Sequence, residues 1–437
     1  MNTPGPLTCR RIFLFWVPLA LTWLMMAIEQ PFLIAFIARL TDAKNNLAAF
    51  GIAGSFAMII EAPIIMLMSA STTLVSGRNS YRKLKQFTDI LNAGITGIQL
   101  IILIPPVFNF IVVSLMEVPE DVARLAHITL LIFLPWAASI GYRRFYQGIL
   151  IRNNLTRRVT YGTLVRLSVI IIVGLLLFAA GVNGAYVGAG AMSLAVLFEA
   201  IATRMMVSGT LKKILQKEDP GNGDLRLRSI ARFYYPLALT SILSLGVHPF
   251  VTFFLGRSYM AVESLAVLPV VTSLVFIFRS FGLSYQEVNI ALIGERKQNY
   301  RVLRNFAVYM GIAVTVLISV LAFTPLADLW FIKISGLSKE LADLSYLPLK
   351  IMILLPALTV LLNFQRSSLI VNGTTGPISI ATATELAGII LVLLVCVVFL
   401  NLTGVVAASL AFMIGRGMAN LYLMPKLAAA VKSWNLK

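Results

Sequence analysis

Four charged residues lie inside long apolar segments of this chain, and they are related in two pairs. Glu61 and Arg279 are 218 residues apart, and Arg166 and Glu385 are 219 apart, with an acid and a base in each pair. A charged side chain at the centre of a bilayer costs at least about 2.5–3.5 kcal/mol, so each should face protein or water and have a partner or a role. We interpret both pairs as candidate substrate-binding or gating groups, with a purely structural ion bridge as the alternative.

Two matched prolines give a second set of candidates. Gln30 precedes Pro31 and His248 precedes Pro249, again 218 residues apart. Proline lacks an amide hydrogen and clashes with the preceding turn, so each frees a carbonyl that needs a polar partner. Gln30 and His248 are therefore candidates beside a cavity, while a plain kink closed by the same side chains is equally consistent. Glu29 joins them as a carboxylate that can bind an ion.

Other charges in the apolar segments have simpler interpretations. Long side chains near a helix end reach the membrane interface, which is the leading expectation for Glu29, Glu199, Glu287, Arg204 and Arg416. The clusters Arg143/Arg144 and Arg157/Arg158 are expected to be topological anchors. A lone histidine near a helix start, His127, is expected to be a solvated cap.

The elements that carry these residues are long apolar helices. The chain has 437 residues, 59% hydrophobic and 12% charged, with a mean hydropathy of +0.88. One span needs roughly 20 apolar residues. The pattern predicts an all-α polytopic membrane protein of about 12 transmembrane helices, near 12–40, 46–76, 87–116, 121–150, 157–180, 184–211, 230–256, 261–293, 301–331, 337–371, 376–400 and 403–430.

An internal repeat divides these helices into two halves. The run 15–22, FWVPLALT, returns at 233–240 as FYYPLALT, and Pro31-Phe32 returns as Pro249-Phe250. Each half holds an even number of helices, so the halves are predicted to be parallel repeats about an axis along the membrane normal. We expect a lobe at 1–211, a linker at 212–229 and a lobe at 230–437.

The charge distribution predicts orientation rather than a nucleic-acid partner. The formal net charge is +18, and positive residues concentrate in alternate loops, which is how membrane proteins fix their cytoplasmic side. Both termini and the linker are expected to be cytoplasmic, in an inner or plasma membrane, and the first apolar segment is expected to be a retained span. No catalytic motif appears, and two histidines and two distant cysteines predict neither metal site nor cofactor.

Several runs resemble a known family over nearly the whole chain. They are Val17-Pro18-Leu19, Glu29-Gln30, 50–55 (FGIAGS), 235–239 (YPLAL) and 348–351 (PLKI). They resemble the progressive ankylosis protein family, which belongs to the multidrug, oligosaccharidyl-lipid and polysaccharide exporter superfamily. The resemblance implies a MATE-like, V-shaped pair of six-helix bundles around a central cavity. It also implies export of polyvalent organic anions, such as nucleotide triphosphates with pyrophosphate, or citrate.

The sequence thus predicts a secondary transporter that exports an anion by alternating access, and not an enzyme. Arg279 and Arg166 would attract the anion, and Glu61 and Glu385 would hold them between states. The expected partners are a small-molecule anion, the bilayer and a coupling ion, H⁺ or Na⁺, for a monomer without cofactor. The alternatives are an H⁺- or Na⁺-coupled multidrug antiporter using Glu29, Glu61 or Glu385, a lipid-linked saccharide flippase, and a non-transporting membrane scaffold.

Overall fold

The computed structural model describes residues 7–153, 155–219, 226–294, 297–374 and 376–434. Within these ranges eleven helices are long and apolar enough to cross a membrane, and a bent pair makes twelve if it is counted as one span. This confirms the predicted all-α membrane fold. In chain order the spans are α1 Cys9–Ile37, α2 Ala43–Leu74, α3 Arg78–Ile102 with Pro105–Leu115, α4 Glu120–Arg152, α5 Arg157–Ala179, α6 Gly184–Gln216, α7 Leu227–Gly256, α8 Ala261–Leu292, α9 Tyr300–Phe323, α10 Lys339–Val371, α11 Gly376–Phe399 and α12 Gly404–Ser433.

The bent pair is α3, whose two parts meet at 72°. Ile104 is extended before Pro105, as expected because proline disfavours the helical conformation of the residue before it. The carbonyl oxygen of Leu103 is 2.7 Å from Nε2 of His127 on α4, whose ring packs 4.8 Å from that of Phe108. His127 is therefore not a solvated cap. It satisfies a carbonyl at the bend.

Proline has different effects in three other spans. The first helix of α2, Ala43–Glu61, is followed by a tighter turn at Ala62–Ile64 that contains Pro63, directly after Glu61. α1 stays helical through Pro31, so that proline does not break it. α7 is interrupted at Gly246, just before His248.

Contact density divides the helices into two compact units. The first unit combines the described residues of Met1–Ala35 and Arg257–Lys437, and the second is Phe36–Gly256. In the first unit Trp16 of α1 donates from Nε1 to Oγ of Ser284 on α8, 2.8 Å away. In the second the hydroxyl of Tyr234 on α7 donates to the carbonyl oxygen of Pro63.

Packing thus places most of α1 with α8–α12, and α7 with α2–α6. The lobe boundaries predicted from the repeat stay a prediction. Residues 220–225 of the predicted linker, and the basic residues at 296 and 437, lie outside the described residues.

Candidate functional site: two charge clusters within the spans

Glu61 lies where α2 is interrupted, inside the second unit. It is the nineteenth residue of its span, well away from either end. Its Oε2 accepts a hydrogen bond of 2.6 Å from Nε1 of Trp136 on α4. A neutral donor leaves the charge of an ionised carboxylate unbalanced, and Arg143, Arg144 and Arg166 lie within its electrostatic range.

Glu199 on α6 joins three helices of the same unit. Its Oε2 is 2.6 Å from Nη1 of Arg143 on α4 and 4.0 Å from Nη1 of Arg166 on α5. Its Oε1 accepts from Nε2 of Gln147 at 3.3 Å. Glu199 has 0% exposure and Arg143 has 6%, so this is a buried ion pair with a second arginine beside it.

Arg144 follows Arg143 on α4 and completes what we call the first charge cluster. Its Nη1 contacts the sulfur of Met68 at 3.8 Å, and it interacts electrostatically with the other charged residues. The cluster holds three arginines and two carboxylates: Arg143, Arg144, Arg166, Glu61 and Glu199.

The second charge cluster lies in the first unit. Oε1 of Glu385 on α11 is 2.8 Å from both Nε and Nη2 of Arg416 on α12. Gly415 makes this close approach possible, because a Cβ there would lie 2.9 Å from the carbonyl oxygen of Glu385. Small residues allow two membrane helices to approach closely, and here the adjacent arginine reaches the carboxylate as a result.

Two further arginines of the second cluster are held by neutral groups. Arg279 on α8 donates from Nε to Oγ1 of Thr359 at 3.3 Å, and Arg366 on α10 donates from Nη2 to Oγ1 of Thr382 at 3.0 Å. Both interact electrostatically with Glu385 and Arg416. Within the described ranges neither has a carboxylate in an ion pair. Three arginines therefore share one carboxylate.

In each cluster an ion pair joins the last two helices of a sequence repeat, but the acidic and the basic residue are exchanged between the two repeats. In the second unit the base Arg166 is on α5 and the acid Glu199 on α6, whereas in the first unit the acid Glu385 is on α11 and the base Arg416 on α12. The structure brings Glu61 together with Arg166, and Arg279 together with Glu385. The predicted approach of Glu61 to Arg279, across the two units, stays a prediction.

Two expectations about these charges are wrong. Arg143 is a buried partner of Glu199 rather than a surface anchor, and Glu199 is buried rather than interfacial. Arg416 is an ion-pair partner with a side-chain exposure of 13%. The sequence analysis did not propose Arg143, Glu199, Arg416 or Arg366 as site residues. Their positions inside predicted apolar segments could have indicated them.

The remaining predicted site residues lie elsewhere. Glu29 is buried in α1 and Gln30 is half-buried beside it, both in the first unit, while His248 is exposed near the start of the second half of α7. Arg204 and Glu287 are exposed, consistent with the simpler interpretation. Among the described residues, no three His, Cys, Asp or Glu residues are arranged to hold a metal ion.

Similarity to known proteins fits this arrangement of helices. Residues 18–176 match the sequence profile of the MatE family. Over these residues the chain is similar to MATE proteins. No curated protein matches the sequence significantly.

Solved structures show that the MATE-like fold extends over nearly the whole chain. A multidrug resistance MATE transporter of the MOP superfamily in an inward-facing conformation is 16% identical, with a TM-score of 0.73 over 95% of this chain and 99% of that one. The lipid II flippase MurJ is 16% identical, with a TM-score of 0.73 over 95% and 87% of the two chains. A variant of the MATE transporter VcmN of Vibrio cholerae is 18% identical, with a TM-score of 0.62 over 98% of each chain.

Proposed function

We propose that this chain is a MATE-type secondary transporter that exports a polyvalent organic or phosphate-bearing anion by alternating access. The observation that carries the proposal is the second charge cluster, where Arg279, Arg366 and Arg416 share the single carboxylate of Glu385. Positive charge without a counter-ion inside a membrane span is costly. An anion that enters this cluster supplies the missing countercharge.

The guanidinium N–H groups of Arg279 and Arg366 that do not bind threonine suit an oxyanion. Arginine presents its N–H groups in a planar fork that matches carboxylate and phosphate oxygens, and such contacts are stronger than neutral hydrogen bonds. Nε of Arg366 has no hydrogen-bond partner among the described residues. Arg279 and Arg366 hold their positions through threonine hydroxyls, so an anion can bind them without first displacing a carboxylate.

The first charge cluster is suited to gating. Glu199 is 2.6 Å from Arg143 and 4.0 Å from Arg166. When an anion binds Arg166, Glu199 would pair with Arg143 alone. When the anion is released, Glu199 would interact with both arginines. The two arrangements give the cluster an anion-bound and an anion-free state.

The resemblance to the progressive ankylosis family supports the same substrate class. It places nucleotide triphosphates with pyrophosphate, and citrate, among the anions to test first. All of them carry several negative charges, which suits a cluster that combines several arginines.

Uptake into proteoliposomes tests the proposal. Wild-type protein should transport at least one of ATP, pyrophosphate and citrate. Arg279→Gln and Arg366→Gln should each raise KM roughly 10- to 100-fold, because a hydrogen bond to a charged group contributes about 1.5–3 kcal/mol. Arg279→Lys keeps the charge and should lose less, and Arg204→Gln, an exposed arginine outside both clusters, is the matched control.

Folding must be checked separately, by thermal unfolding and gel filtration of each variant. If folded Arg279→Gln and Arg366→Gln proteins both transport the anion with wild-type KM, the second cluster is not the anion site. If wild-type protein transports none of the three anions but expels a cationic dye, the substrate class is wrong.

The second candidate is an H⁺- or Na⁺-coupled multidrug antiporter, which the buried carboxylate of Glu29 favours. Carboxylates within a membrane are the usual carriers of coupling ions. Dye efflux driven by an imposed H⁺ or Na⁺ gradient, and abolished in Glu29→Gln, would support it.

A further inference from the structure

An apolar groove lies in the first unit, and no residue of either charge cluster lines it. It has a volume of about 610 Å³ and is formed by α9, α10 and α12. Its floor includes Gly311 and Ala357, and nearly all of the groove is lined by apolar side chains. Volume and lining suit a hydrocarbon chain.

The rim of the groove is apolar and exposed, as expected for a surface that meets lipid. Residues at its rim are about half exposed: Val308 (52%), Ile312 (58%), Val316 (53%), Leu354 (52%) and Met424 (52%). In a span whose outward face is this apolar, the surrounding solvent is hydrocarbon. A chain can therefore enter from the side.

One end of the groove is polar. Arg304 and Tyr300, in the first turns of α9, line it there, and Arg304 is exposed, with no ion-pair partner in the part of the chain that the structure describes. Tyr300 packs on Trp434, with ring centroids 5.2 Å apart, and Nζ of Lys297 lies 5.7 Å from the centre of the Trp434 ring. Tyrosine, tryptophan and lysine together mark the level of lipid head groups.

The length of the groove matches one leaflet. From Arg304 to Val316 a helix rises about 18 Å, at about 1.5 Å per residue. Half of a hydrocarbon core is about 15 Å. The groove therefore has an apolar part of acyl-chain length and a cationic end at head-group depth.

We propose that this groove binds one anionic phospholipid of the adjacent leaflet, with an acyl chain between α9 and α10 and its phosphate on Arg304. The guanidinium of Arg304 would donate hydrogen bonds to the phosphate. The acyl chain would pack against the exposed apolar side chains of the groove. None of the residues of the second charge cluster lines the groove, and the proposal does not depend on the transported substrate.

Native mass spectrometry of the full chain in detergent tests this with phosphatidylglycerol and phosphatidylcholine of identical acyl chains. Wild-type protein should retain one phosphatidylglycerol in preference to phosphatidylcholine. Arg304→Gln should weaken phosphatidylglycerol binding about five-fold, because a basic residue near the head groups contributes about 1 kcal/mol, and should leave phosphatidylcholine unchanged. Gly311→Leu should weaken both lipids, because its side chain enters the space of the acyl chain.

Two controls match these variants. Arg301→Gln changes an arginine of the same helix that does not line the groove, and Ala313→Leu adds the same side chain on another face of α9. Both should bind like wild type. If Gly311→Leu does not fold, Ile312→Trp on the exposed rim replaces it.

The proposal fails if folded Arg304→Gln and the groove-filling variant retain phosphatidylglycerol as wild type does. It also fails if glycerol 3-phosphate, a head group without a chain, binds as tightly as the lipid. That result would indicate a site for a free phosphate ester.

Discussion

Glu199 has no exposed surface and lies between two arginines, so its charge is part of the stability of the second unit. Bringing one carboxylate and one guanidinium out of water is costly, and their attraction offsets that cost only while both are present. The pair is consequently far more sensitive to loss of one partner than a surface ion pair, which contributes roughly 0–1 kcal/mol.

Glu199→Gln should therefore destabilise the protein by about 3–5 kcal/mol, because Arg143 loses its buried counter-ion. Thermal unfolding of the purified protein measures the change. Glu120→Gln, an exposed carboxylate in the first turn of α4, is the control and should cost less than about 1 kcal/mol. Equal unfolding temperatures for Glu199→Gln and wild type would show that the pair is not a stabilising contact.

The partners of these charges could not be read from the sequence. Glu61, Arg166, Arg279 and Glu385 are recognisable because they interrupt apolar segments, whatever they contact. Arg143 and Glu199, by contrast, meet only because α4 and α6 pack with a particular rotation and register. Hydropathy reports the length of a span and not which face of it meets a neighbour.

At the scale of elements, the start of α3 is capped by a residue from the far end of α6. Asp219, three residues past Gln216, accepts hydrogen bonds from the backbone N–H groups of Asn79 at 2.7 Å and Ser80 at 3.0 Å. The hydroxyls of Ser76, at 2.8 Å, and Ser80 also donate to it. A carboxylate at a helix N-terminus satisfies otherwise unpaired donors and interacts favourably with the helix dipole. The start of the predicted linker is thus fixed to the second unit.

This cap predicts a pH-dependent contribution to stability. Burial alone would raise the pKa of Asp219, but the hydrogen bonds from Ser80, Ser76 and Asn79 hold the pKa below its ordinary value of 3.8. A lowered pKa in the folded state means that the contribution is present above about pH 4 and is lost as the pH falls through the folded pKa.

Asp219→Ala should cost about 0.5–2 kcal/mol at pH 7, and the difference from wild type should shrink below about pH 4. Thermal unfolding between pH 7 and pH 3 measures both effects, with Glu218→Ala, the exposed neighbour, as control. A difference that is constant over this range would show that the charge of Asp219 does not contribute to the cap.

Gly77 gives an independent test of the same contact. A Cβ at this position would lie 2.8 Å from the backbone nitrogen of Asp219 and 2.9 Å from the carbonyl oxygen of Lys217. Gly77→Ala should therefore displace residues 217–219 and expose the first amides of α3 to hydrogen exchange. Gly94→Ala, in the same helix with open space around its Cβ position, should leave that exchange unchanged.

For the whole molecule, most span ends were predictable to within about five residues, but α3 begins at Arg78 rather than at the predicted 87, and α9 ends at Phe323 rather than at the predicted 331. The segment predicted at 376–400 is Gly376–Phe399, and that at 184–211 is Gly184–Gln216. Apolar length against the thickness of a bilayer fixes such boundaries. The assignment of α1 and α7 to packing units could not be predicted, because a sequence repeat records common ancestry of segments and not which neighbours they pack against.

The parity of the spans decides on which side of the membrane the chain ends. Twelve crossings put both termini on one side, as the positive charges predict, whereas eleven put them on opposite sides. The difference depends on whether the bent helix α3 crosses completely. The cysteines allow this to be measured, because Cys9 is exposed and Cys396 is buried.

A membrane-impermeant maleimide should therefore label wild-type protein at Cys9 in inverted vesicles and not in intact cells. Lys432→Cys combined with Cys9→Ser should behave in the same way, since Lys432 is exposed at the end of α12. Cys9→Ser alone is the control for Cys396 and should remain unlabelled in both preparations. Labelling of the two positions from opposite sides would mean that α3 enters and leaves the membrane on one face, and that the even number of crossings predicted from the charges is wrong.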